Sequence, residues 1–297
     1  MATPQQSRFK DLAMPVLRVV GEDRERYLQG RVTQDLSAIA ENSGALSLLL
    51  SPNGKIQGQF FIFKQADAFL LLLDPVAKEA LQGFVEELLR FKVADDVVVE
   101  PETGLSCFVL LNEKSKYFSP PPEKTEYTLQ ATSMGDCSCH CFYASDFAWN
   151  SLVVIGDKEE LFSSFRSKEL VEATEEEYTA ARIKAGYPLF GVDVTSKNVA
   201  PDLPLSARVS FRKGCYAGQE VVEMASARGR ANKVLVKIES SSPLPEGGSI
   251  VSKDSGKSIG TLTSVADRIG LGLIKNPGDP SPELLVDNQE VQAQLLS

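Results

Sequence analysis

The chain has little with which to cross a membrane or to grip nucleic acid indiscriminately. No uninterrupted apolar run is long enough to span a bilayer. The stretch from Met1 to Lys10 is polar and lacks the apolar core of a secretory signal. Positive charge is in deficit: 31 Lys and Arg against 40 Asp and Glu leave a net charge of −9. Binding to nucleic acid regardless of sequence needs many cationic contacts to phosphates, so it is not expected here. A local basic pocket remains compatible with that balance. Cysteines number five, an odd count with no regular framework, which points to a reducing compartment. Histidine occurs once, as His140. What is present is ordinary for a globular protein: 297 residues, 43% hydrophobic and 24% charged. That length buries a sizeable core and suits more than one folding unit.

The lone histidine sits in Cys137-Ser138-Cys139-His140-Cys141, which invites a metal reading. In a strand, alternate residues share a face about 7 Å apart. Ligands of one tetrahedral zinc sit much closer, each bond being about 2.3 Å. The expectation is therefore a strand with three inward cysteines, Ser138 and His140 on the other side, and no metal. A loop at this place would reopen metal binding.

Local patterns place many elements. Val16 to Val20 reads as a strand, and Glu22 to Gly30 as a short helix with Tyr27 and Leu28 inward. Ala45 to Leu50 and Phe60 to Phe63 are strands flanking the turn Ser51-Pro52-Asn53-Gly54. Ala68 to Leu73 is another strand. Asp74-Pro75 has the chemistry of a helix start, and Leu81, Phe84, Val85, Leu88 and Leu89 follow with the spacing of one buried face. Ser106 to Leu111 is a strand, and Asn112 to Glu126, with three successive prolines, a surface loop. Asp157 with Glu160, and Thr174 with Glu177, match capping boxes. The second helix should run to Ala185 and stop at Gly186, with Tyr178 and Arg182 on one face. From Val234 onward, short strands alternate with Gly, Pro and Ser, the pattern of a small antiparallel barrel.

The segment richest in chemistry is Arg212-Lys213-Gly214-Cys215-Tyr216-Ala217-Gly218-Gln219-Glu220. Thiolate is the reactive form of cysteine, and neighbouring cations favour it. Gly214 and Gly218 let the backbone bend tightly around Cys215. Gln219 and Glu220 are placed to orient a ligand or to anchor the loop. An internal Lys213–Glu220 ion pair holding the turn is the plainer alternative.

Lys213 to Glu220 reads K-G-C-Y-x-G-Q-E, which resembles the signature of the YgfZ-type folate-binding proteins, relatives of the glycine cleavage T protein (aminomethyltransferase). Tyr27-Leu28-Gln29-Gly30-Arg31-Val32-Thr33-Gln34-Asp35 resembles the family's aromatic-L-Q-G-x-x-T-x-D segment. Gly54-Lys55-Ile56 and Arg182-Ile183-Lys184-Ala185-Gly186-Tyr187-Pro188 follow in the family's order. The resemblance implies an α+β body of two interlocked domains over residues 1–230, then an antiparallel β-barrel over 231–297. It also implies a tetrahydrofolate or other reduced folate in a central channel. The implied role is support of assembly or repair of iron–sulfur enzymes, including those that modify tRNA, with those clients or assembly proteins as partners. Cys215 would be the key residue, beside Lys213. The implied location is bacterial cytoplasm, or a eukaryotic mitochondrial or plastid matrix once a transit peptide is removed.

By the same resemblance, Tyr178 stands where an aromatic residue stacks on folate, and Asp193 in a G-x-acidic segment close to the pterin. Arg182 has a guanidinium suited to a carboxylate. An ion pair between Arg182 and Glu175, Glu176 or Glu177 on a surface helix is the alternative. Arg228, with Arg230 and Lys233, is a candidate for the folate glutamate tail or an acidic partner, against a plain strand edge. The family usually carries Ala-Arg where this chain has Glu223-Met224, a departure there. The competing function is aminomethyl or other one-carbon transfer. T proteins carry a carboxylate after their glycine turn; here Gln57-Gly58-Gln59 stands in that place, so no glycine-cleavage activity is expected.

Overall fold

The computed structural model describes residues 7–75, 78–111, 115–148, 151–228, 231–278 and 283–296. The first half runs β1 (Arg8–Asp11), β2 (Val16–Val20), α1 (Arg24–Gln29), β3 (Gly44–Leu50), β4 (Ile56–Lys64), β5 (Phe69–Leu73), α2 (Lys78–Leu88), β6 (Val98–Pro101) and β7 (Ser106–Leu111). Then come β8 (Gln130–Met134), β9 (Cys137–Phe142), β10 (Ser151–Gly156), α3 (Lys158–Ser167), β11 (Val171–Glu172), α4 (Glu175–Ala185) and α5 (Gln219–Arg228). The chain ends in β12 (Lys233–Glu239), β13 (Ser249–Ser252), β14 (Ser258–Ala266), β15 (Ile269–Lys275), β16 (Leu284–Val286) and β17 (Gln289–Leu296).

Two sheets form the body. One has the order β11-β1-β7-β10-β9-β8, the other β3-β4-β5-β2-β6. They face each other across one core: Phe61, Phe63, Leu70 and Leu72 from the second sheet meet Val109, Phe142, Val153 and Ile155 from the first. The outer face of the second sheet, with Phe60 and Ile62, is covered by Tyr27 and Leu28 of α1 and Phe84 and Leu88 of α2. Both faces of β4 are thus buried, which is why Phe60 to Phe63 is continuously apolar rather than alternating. The first sheet's outer face packs Phe9 and Phe108 on Leu161 and Phe165 of α3. Strand β9 alternates as its spacing predicts, with Cys137, Cys139 and Cys141 buried and Ser138 and His140 exposed. Burial pushes the Cys139 thiol up to about 12 and the Cys137 thiol up to about 11.

The last six strands close into a barrel, β12-β15-β14-β13-β16-β17. It docks on the body through α4, where Ile183 packs with Leu235, Ala266 and Leu271. Helix α4 has the complete capping box of Thr174 and Glu177, and Gly186 ends it at φ 76°. Asp157 caps α3 by accepting from the Glu160 amide.

Two local readings need correction. Pro75, expected as the first helical position, is not helical; residues 76 and 77 lie outside the described residues, and the described helix begins at Lys78. Asp74, expected as its cap, is instead buried and bonded to Gln59, Tyr187 and Phe190. The stretch holding Arg228 is no strand edge: Gln219–Arg228 is a helix, with Val222 buried beneath it. Its Glu, Met, Ala and Arg residues are good helix formers, and Gly218 supplies the turn before them. No helix among the described residues is long and apolar enough to cross a membrane.

Candidate functional site

Cys215 is exposed, and it is alone in that: Cys107, Cys137, Cys139 and Cys141 are buried. Its loop is held on both sides by backbone. Lys213 does not meet Glu220. Its buried Nζ donates to three carbonyls, Gln29 and Val32 at 2.6 Å and Gln34 at 2.8 Å. These belong to the turn after α1, where helix carbonyls lack partners of their own. Burial pulls the Lys213 ammonium down to about 8, with Asp35 opposing. Gly218 stands at φ 84°, and a Cβ there would lie 2.6 Å from the Ser51 carbonyl oxygen. Gly54, at φ 70°, packs on Val221 of α5 in turn. The two glycine turns therefore interlock, which ties the Gly54-Lys55-Ile56 and Gly218 motifs into one structure. Gly214 has open space at its Cβ position. Gln219 anchors the loop, accepting from the Tyr216 amide at 3.2 Å and donating to Glu223 at 2.6 Å.

Cys215, Tyr216 and Glu220 line a hollow of about 720 Å³ with Tyr27, Arg31 and Phe91. The volume is that of a small-molecule site.

A second pocket, about 420 Å³, opens between α4 and the barrel. Tyr178 and Arg182 line it together with Thr263 and Ser264 of β14. Tyr178 is buried, not a surface residue, and its hydroxyl has no hydrogen-bond partner. Arg182 does not pair with the α4 acids; Glu175 and Glu177 hold Lys10 and Arg8 of β1 instead. Arg182 Nη1 donates to Asp193 Oδ2 at 2.5 Å and to the Tyr187 carbonyl at 2.8 Å; its Nη2 donates to Ser264 Oγ at 2.6 Å. Asp193 Oδ1 accepts from Thr263 at 2.5 Å and Ser264 at 2.7 Å, and Oδ2 accepts from the Leu189 amide. The structure brings Arg182 and Asp193 together as a closed clamp under the pocket, away from the Cys215 hollow. Arg228 ends α5, and its side chain lies outside the described residues.

Sequence reasoning missed Asp74. No carboxylate was expected near Gln57 and Gln59, yet Asp74 Oδ2 accepts from Gln59 Nε2 at 2.9 Å and from the Phe190 amide at 2.8 Å. Its Oδ1 accepts from Tyr187 Oη at 2.7 Å. Full burial raises its carboxyl to about 6. Strand β5 lies antiparallel beside β4, its last residue Leu73 pairing with Phe60, and the next residue, Asp74, therefore meets Gln59. That hairpin pairing was the available signal. Arg208, also buried, completes the group by donating to Gln59 Oε1 at 2.7 Å. Gln57, Gln59 and Asp74 line a small pocket of about 250 Å³. No cluster of three potential metal-ligating His, Cys, Asp or Glu side chains occurs among the described residues.

Residues 232–296 match the family model of the CAF17 C-terminal β-barrel domain. The glycine cleavage system aminomethyltransferase T from Bartonella henselae matches with a TM-score of 0.81, covering 98% of this chain and 85% of its own, at 14% identity. By fold, then, the chain is a T-protein-like α+β body that carries a closed antiparallel barrel. In sequence it is 27% identical over 241 residues to the "tRNA-modifying protein YgfZ" of Shigella sonnei (strain Ss046), covering 77% of this chain and 71% of the relative. The protein of that name from Escherichia coli (strain SE11) is 26% identical over the same shares. The chain is a relative of the YgfZ-type proteins.

Proposed function

We propose that the chain binds tetrahydrofolate or another reduced folate in the α4–barrel pocket and supports assembly or repair of iron–sulfur enzymes, including those that modify tRNA. The observation that carries the folate reading is Tyr178, which lines that pocket and whose buried hydroxyl has no partner. A buried hydroxyl without a partner is costly unless a ligand or water completes it. In this reading the tyrosine ring supplies the face on which a flat heterocycle stacks. Arg182 and Asp193 are saturated by each other and by the barrel, so in this reading they set the pocket floor and its polarity. A bound folate would supply the capacity to carry a one-carbon unit; the protein's own residues hold and shield it.

Cys215 is the working thiol of this reading, with Lys213 acting on it by fixing its loop. Gly218 and Gln219 shape that loop, Glu220 lines its hollow, and Gly214, expected to allow a tight bend, instead leaves open space beside Cys215. The partners are client enzymes or their assembly proteins, met without direct nucleic-acid contact and away from the membrane, in cytoplasm or an organelle matrix. Calorimetry with tetrahydrofolate tests the ligand. Binding is expected, and Tyr178→Ala should weaken it by about 1–3 kcal/mol, the scale of a lost base–aromatic stack. Absence of heat and of any thermal shift with every reduced folate overturns it. Cys215→Ala should keep the parent's melting behaviour and fail to restore iron–sulfur enzyme activity in cells lacking the protein.

One observation favours the second reading, one-carbon transfer: Asp74 puts a carboxylate against Gln59, where neither Gln57 nor Gln59 can act as a base. Both Asp74 oxygens already accept hydrogen bonds, which keeps this reading second. The assay supplies aminomethylated lipoyl carrier protein and tetrahydrofolate. Ammonia release above background that is lost in Asp74→Asn would promote it.

A further inference from the structure

The hollow beside Cys215 contains a cation with an unfilled position. Arg31 is 3% exposed, and its bonds run one way. Nε donates to the Leu88 carbonyl at 3.1 Å, and Nη2 to the Glu87 carbonyl at 2.6 Å, both at the end of α2. The Glu87 carboxylate approaches Nη2 at 3.4 Å and also serves Arg90. Nη1 has no partner at all. The ring of Phe91 lies over the guanidinium, 4.7 Å from Cζ to the ring centroid. That ring is itself half exposed, although it is large and apolar. A buried guanidinium whose last N–H pair is unfilled, behind a ring that solvent already reaches, lacks one planar oxyanion.

We propose that this hollow is a second ligand site, receiving a small carboxylate-bearing molecule beside Cys215, with Arg31 as its cation and Phe91 as its movable cover. It shares no lining residue with the α4–barrel pocket, so it is a different site from the one assigned to folate. Arg26 is not the receptor, because Asp23 at 3.0 Å and Asp95 at 2.7 Å already hold it. Asp95 and Glu220 also line the hollow; Asp95 is neutralised by Arg26, which leaves Glu220 as the charge that Arg31 must outweigh. The size fits a compound of a few carbons or an amino-acid headgroup, and the proximity to Cys215 suits one that also bears sulfur.

Because Cys215 is the exposed thiol, it can serve as its own probe. Iodoacetate and iodoacetamide alkylate it by the same displacement: the thiolate forms an S–C bond and iodide leaves. They differ in carrying a carboxylate or a neutral amide. The rate ratio of the two reagents at Cys215, read by peptide mass spectrometry, is compared with the ratio at a synthetic peptide of residues 210–220. That peptide keeps Arg212 and Lys213 but not Arg31. The folded protein should favour iodoacetate over the peptide by about threefold or more, the scale of one screened unit charge nearby. Phe91→Ala, at a half-exposed position, should raise the ratio further, and Arg31→Met should bring it down to the peptide's. A wild-type ratio at or below the peptide's overturns the proposal without any variant being needed. A raised ratio that persists in Arg31→Met overturns it too, since another cation is then responsible. No folate is present in the assay, so the outcome is independent of the folate reading.

Discussion

Arg182 and Arg31 are buried to the same degree, 3% exposed, and do opposite things with it. Around Arg182 every neighbour is answered: a carboxylate, a carbonyl and a serine hydroxyl, with that serine donating onward to the same carboxylate. Around Arg31 the backbone answers two nitrogens and leaves the third. Burial alone therefore says little about function. Saturation separates a clamp from a receptor, and in this chain the two sit on separate hollows. Tyr178 and Asp193 repeat the contrast: a pocket-lining residue whose hydroxyl is unanswered, and behind Arg182 a carboxylate with four donors.

The largest expected effect tests the clamp. Arg182→Met strands Asp193 without its cation and should cost about 3–5 kcal/mol in urea unfolding. Arg31→Met leaves Glu87 still paired with Arg90 and should cost distinctly less, about 1–2 kcal/mol. Equal losses would erase the distinction.

Asp74 sharpens the contrast from the acidic side, since its direct partners are neutral donors where Asp193 has a guanidinium. Its folded value of about 6 lies above its ordinary 3.8, so between those values the folded state holds the extra proton. Its contribution is full below pH 3.8 and is lost as pH rises through 6. The stability of the parent relative to Asp74→Asn should therefore rise as pH falls from 7 to 4, approaching about 3 kcal/mol. A flat difference across that range would contradict it.

Lys213→Met should cost about 1–3 kcal/mol, because it leaves buried carbonyls of the α1 turn unanswered. The smallest effect is the most discriminating. Tyr178→Phe removes an unanswered hydroxyl and should leave stability within about 0.5 kcal/mol of the parent, or raise it slightly. A loss above 1 kcal/mol would mean that the hydroxyl is satisfied in solution and marks no ligand site.

Local chemistry was legible where its partners are close in sequence. Thr174 and Glu177, Gly186, the cysteine alternation of β9 and the short strands of the barrel all rest on contacts within a few residues or on strict periodicity. The Tyr27–Asp35 and Lys213–Glu220 motifs were readable as separate signals. Their union was not: Lys213 reaches carbonyls 179 to 184 positions earlier. Nothing short-range announces which carbonyls a buried lysine will meet. Asp74 was misread because Asp-Pro before an apolar periodicity is sound helix-start chemistry, while Tyr187 lies 113 residues away. Helix α5 carries no apolar stripe to read, since Val222 is the one buried residue among its described side chains. Arg31 looked like a variable position inside a motif, and its importance depends on where α2 ends.

The ties between Asp193 and the barrel also order events at the ribosome. Thr263 and Ser264 supply two of the donors around that carboxylate, and the chain must be synthesised past both before the pocket can close. Until β14 has left the exit tunnel, the Asp193 carboxylate lacks those two donors and is solvated by water in their place. A ligand that requires the finished pocket cannot be captured during translation, and a prematurely terminated product would present an open, hydrated cleft to proteases instead of a binding site.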